Sequence, residues 1–395
     1  MPDSVVIAGS LAQKPMQGGH TWQFLQYILG FKRLGWDVLF VDRLEPGMCV
    51  DDRGRPVSFG DSVNLRYFNT VMRCFGLEDD YALIYNGGEH IAGQSRAQIL
   101  NHTRKAAFLL NVMGYLADEE ILAAARRRVF LDTDPGYGQM WHELGLARIF
   151  EGYEAYVTIA ENIGRPECDI PTCGIDWITW RQPVVLDQWP SATCELRELF
   201  TSIGSWRGPY GPIEYGGRTY GLRAHEFRKF AGLPRLSARH FEAALDIDAA
   251  EVDDLRLLRE NHWSLSDPRV VARDPWAYRD YVRGSMAEFM VARNMYVDSK
   301  CGWFSERSIC YLASGRPVLA QDTGIRHLLP TGEGLVTFAT LEEAVAGVEE
   351  FYRNYNRHAR AARDLAEAYF DSDKVLTNLL AKLDAGSPPR RESGP

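Results

Sequence analysis

The segment 298–324 carries the residues whose types and order are best suited to bind an anion. It reads DSKCGWFSERSICYLASGRPVLAQDTG: a short loop with Gly302, a predicted helix with Ser305 and Glu306 in its first turn, and a Gly-Arg-Pro turn into a buried strand. Such a turn points backbone N–H groups and a helix N-terminus toward one cleft, where they favour a phosphate oxyanion. Ligands of open α/β sheets collect at the carboxyl ends of strands. The segment therefore predicts a site for a nucleoside diphosphate.

Ionisable residues also follow predicted strands elsewhere in the chain. Arg207 lies in a Gly-flanked turn at the end of a predicted strand, where a cation can bind an anion. His20 follows two glycines at the start of the first predicted helix, and a histidine suits a general base that deprotonates a hydroxyl. Asp134 ends an Asp-Thr-Asp sequence after another strand. The alternative cations for the Arg207 role are Arg218, Arg228 and Lys229.

Alternating apolar runs and helical patterns predict two α/β halves that position these residues. In the first half, strands are predicted at 4–8, 36–42, 81–86, 107–114, 129–132 and 156–160, and helices at 21–34, 62–75, 93–105 and 117–127. In the second half, strands are predicted at 199–205, 240–246, 317–320 and 334–338, and helices at 252–261, 278–295, 341–355, 358–369 and 373–383. Parallel strands need long crossovers, so this alternation predicts two Rossmann-like domains, each with a parallel sheet.

Length and composition limit the class of protein. The chain has 395 residues, which exceeds what one hydrophobic core usually supports. We expect an N-terminal domain over 1–190, a C-terminal domain over 191–384 whose last helices could pack back on the first domain, and a flexible tail over 385–395. With 46% hydrophobic residues the chain is not of the disordered class. A net charge of −9 excludes a global positive field for nucleic acid.

Several further classes are disfavoured. No stretch approaches the roughly 20 apolar residues that span a bilayer, so the sequence predicts no transmembrane segment and a cytoplasmic protein. The seven cysteines are scattered and odd in number, which is unlike a disulfide framework. Cys168 and Cys173 lack a second close pair to complete a zinc site. Reduced thiols are expected, and a homodimer is left open.

Two segments resemble a known enzyme family. The run KCGWFSER…LASGRPVLA resembles the nucleotide-sugar signature of GT-B glycosyltransferases, in the HCGWNS…E…GVP form of the natural-product enzymes and the E-x7-E…GxPV form of the retaining enzymes. GGHTWQFLQYILGFKRLGWDVLFVD resembles the GGH…L…L…GH-x-V opening of the same enzymes. The resemblance implies an α/β protein with the GT-B fold, in which two Rossmann-like domains face a central cleft.

The resemblance also implies an activity. A hexosyltransferase-like enzyme would transfer a sugar from a UDP, TDP or GDP sugar to a small-molecule or glycan acceptor, as in natural product biosynthesis. The nucleotide sugar is a co-substrate, and no cofactor or metal is implied, because the DxD metal motif that Asp132-Thr133-Asp134 imitates belongs to a different fold.

Individual roles follow from the same resemblance. His20 matches the catalytic base of inverting enzymes, with Asp134 orienting it or binding acceptor. The implied donor contacts are Gly19, Arg207, Lys300, Gly302, Trp303, Phe304, Ser305, Glu306, Arg307, Asp322, Thr323 and Gly324. In the family a glutamate holds the ribose. Counting back from Gly315 places it at Cys310, whereas matching the loop at Gly302 places it at Glu306, one turn earlier on the same helix face.

Alternative interpretations remain open at this stage. A retaining enzyme of the same fold would use Asp298 and Glu306 as its donor pair. A non-catalytic nucleotide-sugar-binding scaffold is favoured by the cysteine at position 310, and an unrelated two-domain enzyme such as an epimerase would share the donor. The candidate residues also have structural interpretations: Glu306 as a first-turn carboxylate, Arg207 as a surface arginine, Asp322 as a helix cap, and Asp134 as a turn residue.

Overall fold

The structure, a computed structural model, describes residues 3–191, 196–208 and 210–385. Cys194 and the predicted tail beyond residue 385 lie outside these ranges. Two sheets built mainly of parallel strands are flanked by helices, which confirms the predicted α/β class with two Rossmann-like domains. Within the described ranges, no helix combines the length and the apolar character needed to span a membrane.

The first domain contains an eight-stranded sheet in the order β4-β3-β2-β1-β5-β6-β7-β8. Its strands are β1 (Ser4–Ala8), β2 (Asp37–Leu44), β3 (Tyr81–Tyr85), β4 (His90–Gly93), β5 (Phe108–Val112), β6 (Arg128–Asp132), β7 (Ala155–Thr158) and β8 (Trp177–Thr179). Its helices are α1 (Gly18–Arg33), α2 (Val63–Cys74), α3 (Arg96–Lys105), α4 (Glu119–Ala124) and α5 (Tyr137–Glu143). Only the β3–β4 pair is antiparallel within the described part of this sheet. The central β1 reads as a continuous apolar run because all five of its residues are buried.

The second domain contains a six-stranded parallel sheet in the order β13-β12-β9-β14-β15-β16, beside a hairpin of β10 and β11. The strands are β9 (Arg197–Ser205), β10 (Ile213–Tyr215), β11 (Arg218–Tyr220), β12 (Phe241–Asp246), β13 (Trp263–Leu265), β14 (Ser285–Met290), β15 (Val318–Gln321) and β16 (Leu335–Phe338). The helices are α6 (Arg223–Lys229), α7 (Leu233–Ser237), α8 (Val252–Glu260), α9 (Pro268–Val271), α10 (Pro275–Gly284), α11 (Asn294–Asp298), α12 (Glu306–Ala313), α13 (Leu341–Arg353), α14 (Tyr355–Tyr369) and α15 (Ser372–Ala385).

The prediction of one helix over 278–295 is wrong. Helix α10 ends at Gly284, and β14 follows directly as a central strand between β9 and β15. All six residues of β14 are buried. A strand buried on both faces does not alternate apolar and polar residues, and its short apolar run therefore fits a helical period equally well. The glycine that precedes the strand marks the break between the two elements.

Helix α1 of the first domain packs against segments from the second half of the chain. At its start, the Gly18 N–H donates to the Ala272 carbonyl at 2.7 Å, and a Cβ at Gly18 would lie 2.2 Å from the Asp274 carbonyl oxygen. Further along, the Trp22 indole N–H donates to the Pro275 carbonyl at 2.7 Å. At its other end, Gly30 faces α15, where a Cβ would lie 2.6 Å from Leu376. The chain's last described helix thus returns to the first domain.

The tryptophan in this contact provides a test of the domain arrangement. Trp22→Phe removes the indole N–H with its bond to Pro275 and part of a fully buried ring, so we expect a loss of about 1–3 kcal/mol in the free energy of unfolding, measured by urea denaturation. Trp177→Phe is the control, because the indole of this half-buried tryptophan bonds to Thr172 within the first domain. A larger loss in the control would contradict the role of Trp22 between the domains.

Candidate functional site

The carboxyl ends of the two sheets face a cleft that contains two adjoining cavities of about 330 and 260 Å³. Both cavities are lined from α1 of the first domain and from β9 and α12 of the second. We call the larger one the strand-end cavity, because it also reaches Asp246 at the end of β12 and the start of α9. We call the smaller one the cationic cavity. Its charged lining consists of Lys14, Asp134, Arg223, Arg293, Glu306 and Arg307, with His20 beside them.

Three arginines of the second domain converge on the cationic cavity. The Nε of Arg307 donates to the fully buried Glu288 of β14 at 2.5 Å. The Nη1 of Arg293 donates to both carboxylate oxygens of Asp134 at 3.0 Å. Each of these guanidiniums therefore has a carboxylate of the protein as its counter-ion.

Arg223, the third arginine, lacks such a counter-ion. Within the described residues no carboxylate lies at ion-pair distance from it, its buried Nε has no hydrogen-bond partner, and Nη1 reaches the Ser205 carbonyl at 3.4 Å. Only 9% of the residue is exposed. Burial, with the neighbouring Arg307 and Arg293, lowers the pKa of Arg223 to about 9. The guanidinium is still charged at neutral pH and lines a cavity that an anion can occupy.

Lys14 approaches the same cavity from the loop between β1 and α1. Its ammonium has no ion pair within the described ranges, although Asp134 is near enough to favour its charge. Burial is the main cause that lowers the pKa of Lys14, and the positive charge of Arg293 adds to the effect. The first domain thus contributes a second cation that forms no ion pair within the described ranges.

His20, in the first turn of α1, lies between the two cavities. Its Nε2 is 3.2 Å from the Ser10 carbonyl oxygen, which only accepts, so we assign the ring proton to Nε2 and the free electron pair to Nδ1. Burial and the charge of Lys14 together lower the pKa of His20 to about 3, although the bond to Ser10 opposes them. The imidazole is therefore neutral at physiological pH.

Glu306 is the carboxylate that α12 presents to both cavities. It is half-buried and has no ion pair within the described ranges, and Gln182 of the first domain donates to it at 3.5 Å. Ser305 caps the helix by accepting from the Arg307 N–H at 3.2 Å. Cys310, one turn later, faces α1, where the Gln26 amide donates to its sulfur at 3.9 Å.

The structure does not pair Asp134 with His20. The carboxylate accepts hydrogen bonds from Arg293 and from the Tyr296 hydroxyl, both of the second domain. A buried guanidinium attracts this carboxylate more strongly than a neutral imidazole does. Asp134 therefore holds the two walls of the cationic cavity together, in place of the predicted role of orienting the histidine.

The structure does not bring Arg207 and Lys300 into the cleft. The Arg207 guanidinium is half exposed and pairs with Glu251, because its turn points toward the start of α8. The Lys300 side chain is exposed, and its residue adopts φ 49°. Asp298 is also exposed and accepts from Asn294 at 3.4 Å, away from Glu306. The two carboxylates of the retaining alternative therefore do not share a cavity.

The glycines of the motif lie where the two domains contact each other. Asn162 of the first domain donates to the carbonyls of Lys300 and Gly324 at 2.9 and 3.2 Å. Gly302 and Gly324 have φ of 76° and 90°, and a Cβ at either would lie within 3.1 Å of the Asn162 side chain. Here the predicted donor-binding glycines allow a close approach of backbone to side chain.

The remaining predicted donor contacts are divided between the cleft and its support. Gly19 lines the strand-end cavity, and Trp303 lines the cationic cavity, where it stacks on Tyr296 at 4.2 Å. Phe304 instead packs on Phe370. Thr323 donates to the Trp303 carbonyl, and Asp322 pairs with Arg326, so both stabilise their own loops.

Sequence reasoning missed Arg223 and Arg293. Neither belongs to a motif: Arg223 starts the short α6 after the β10–β11 hairpin, and Arg293 follows the central strand that was mistaken for a helix. The available signal was weak, since an arginine after an apolar run at a strand end is one pattern among many. Recognition of β14 would have placed Arg293 at the carboxyl edge of the sheet.

The protonation of His20 is testable by NMR. Because burial and Lys14 lower its pKa to about 3, the ring should stay neutral as the pH falls from 8 to 4, and Lys14→Met should shift the titration to higher pH. Assignment of the ring signals uses His20→Gln. Titration of the His20 signals near the unperturbed value of about 6.5 would contradict this environment.

Comparisons with known proteins identify the fold. Protein-family models and curated protein sequences give no match. An alpha-glucosyltransferase in complex with UDP is 11% identical, with a TM-score of 0.56 over 96% of this chain and 99% of that one. A sucrose-phosphate synthase from Thermosynechococcus elongatus is 11% identical, with a TM-score of 0.54 over 98% and 100%. AviGT4, a glycosyltransferase involved in avilamycin A biosynthesis, is 12% identical, with a TM-score of 0.54 over 98% and 99%. The chain therefore has the GT-B fold of glycosyltransferases, with two Rossmann-like domains that face a central cleft.

Proposed function

We propose that this protein transfers a sugar from a nucleoside-diphosphate sugar to an acceptor hydroxyl. The observation that carries the proposal is the buried Arg223 in a cleft of the GT-B fold, whose charge has no carboxylate counter-ion among the described residues. A buried charge without a partner is costly, and a bound diphosphate would remove that cost. UDP is the nucleotide to test first, because the similar alpha-glucosyltransferase is in complex with it.

The guanidiniums also explain how the leaving group would be stabilised without a metal. As the bond between sugar and diphosphate breaks, negative charge accumulates on the diphosphate oxygens. Arg223 and Arg307 are fixed beside the start of α12, whose N-terminal N–H groups favour the same charge. Arg307 is held in place by its bond to Glu288, so it needs little reorganisation during the reaction. Glu306, half-buried and without an ion pair in the described ranges, is suited to accept hydrogen bonds from donor hydroxyls.

In this proposal the transfer is inverting and His20 is the general base. The ring is neutral, its Nε2 is engaged by Ser10, and Nδ1 is left to take the proton of the attacking hydroxyl. The charge of a bound diphosphate would raise the low pKa of His20 toward the range in which a base is effective. The acceptor would approach from the first-domain wall.

A binding scaffold that does not catalyse transfer is the second candidate. It is favoured by Cys310, which stands at one of the two positions that the resemblance assigns to a glutamate. The discriminating experiment incubates the protein with nucleotide sugars and follows donor hydrolysis and transfer to acceptor extracts. Binding without any turnover would favour the scaffold, and conversion of the donor into another nucleotide sugar would favour an epimerase.

Arg223 provides the direct test of donor binding. Arg223→Gln should weaken UDP by about 10- to 100-fold in calorimetric titration, because a charge-assisted bond contributes about 1.5–3 kcal/mol. Arg207→Gln is the matched control, since its arginine is exposed and paired with Glu251. Equal UDP affinity of wild type and Arg223→Gln would contradict the proposed donor site.

His20 provides the test of mechanism. His20→Gln should lower the rate of transfer by about 10²- to 10⁴-fold with UDP affinity retained, because it removes the base and leaves the arginines in place. His90→Gln, an exposed histidine, is the control. NMR analysis of the product decides the stereochemistry: a product that keeps the anomeric configuration of the donor would exclude His20 as the base of a single displacement.

A further inference from the structure

The positive charge of Lys14 is not explained by the diphosphate site at Arg223. The lysine is half-buried, lines the cationic cavity, and has no ion pair within the described residues. The nearby Asp134 favours the charge of Lys14, but its hydrogen bonds are with Arg293 and Tyr296 of the second domain. An anion bound in the cavity would stabilise the ammonium further.

Lys14 of the first domain and Arg223 of the second line the same cavity, together with the pair formed by Arg293 and Asp134. The charges that act on Arg223 come from the second domain, chiefly Arg307 and Arg293. Those that act on Lys14 are Asp134 and Arg293, and Lys14 in turn acts on His20. The cavity therefore holds two cations that have no ion pair within the described residues, one on each domain.

The surroundings of Lys14 suit a polar ligand group. Met113, Tyr115 and Thr133 of the first domain and Tyr210 of the second line the cavity together with the lysine. Hydroxyl groups and an ammonium bind carboxylate or phosphate oxygens well. Tyr210 packs against Tyr137 and Trp141 of α5, so this wall is formed jointly by the two domains.

We propose that Lys14 forms a second anion subsite, which binds a carboxylate or phosphate group on the transferred sugar or on the acceptor. The inference rests on the proposed function and makes it more specific, because the substrate pair would include an acidic sugar or an acidic acceptor. The shared chemistry is an oxyanion placed beside the reacting centre at His20, separate from the diphosphate.

Calorimetry with wild type and Lys14→Met separates the two sources of the anion. In the donor arm, the ligands are UDP, UDP-glucose and UDP-glucuronate. In the acceptor arm, inorganic phosphate is titrated into protein saturated with UDP. We expect Lys14→Met to change UDP and UDP-glucose affinity by less than about twofold, and to weaken UDP-glucuronate or phosphate by about tenfold or more. Lys14→Arg should retain most of the preference, and Lys105→Met, an exposed lysine at the end of α3, is the control.

Two results would overturn the subsite. If Lys14→Met weakens UDP as much as Arg223→Gln does, the lysine binds the diphosphate itself. If neither arm differs between wild type and Lys14→Met, although both show the same thermal unfolding, no second anion binds there. Failure of UDP to bind wild type would contradict the proposed function instead. In that case, inorganic phosphate is titrated into Arg223→Gln in the absence of UDP. This titration tests the Lys14 subsite independently of the diphosphate site.

Discussion

Helix α1 belongs to the first domain by sequence, yet the second half of the chain packs against both of its ends. Its first residue, Gly18, touches the segment before α10 so closely that a side chain has no room, and its last turns lie against α15. This double contact sets the position of His20, in the first turn of α1, relative to the start of α12 across the cleft. The geometry of the site therefore depends on a packing constraint between helices.

The cleft held in this way contains more positive charge than the protein neutralises. Glu288 compensates Arg307 and Asp134 compensates Arg293, whereas Arg223 and Lys14 lack a carboxylate partner within the described residues. Like charges close together in a partly dry cavity reduce the stability of the empty protein. The same feature pre-organises the cleft, because the cations are already in position when an anion arrives. Burial is the main cause that keeps His20 neutral, and the neighbouring charge of Lys14 adds to it.

The sequence was informative where a residue's role depends on local pattern. The two α/β halves, the strand at Ser4–Ala8 and the helix that begins near Ser305 follow from apolar periodicity and capping, and the structure contains all of them. Strand β14 was missed because a short apolar run buried on both faces has no distinctive period. Arg223 and Arg293 were missed for a related reason: their positions depend on loops that meet only after both domains have folded.

The motif glycines show another limit of local sequence. Gly302 was interpreted as part of a phosphate loop, whereas its positive φ accommodates Asn162, which lies 140 residues earlier in the sequence. A glycine reports that the backbone needs space or an unusual conformation, but not what occupies that space. Local sequence alone cannot distinguish a bound phosphate from an asparagine of another domain.

Contacts between the domains also explain why the carboxylate of α12 stands at position 306 and not at position 310. Cys310 is buried against Gln26 of α1, and burial raises the pKa of its thiol, so a carboxylate at this position would lose its hydration without reaching either cavity. One turn earlier, the same face of α12 opens into the cleft, and there Glu306 lies beside Arg307 and the end of β9. Gln26 of α1 covers position 310, whereas the first turn of α12 lines both cavities. The contact with α1 therefore fits a cysteine at position 310, and the opening of the cleft one turn earlier fits the carboxylate of Glu306.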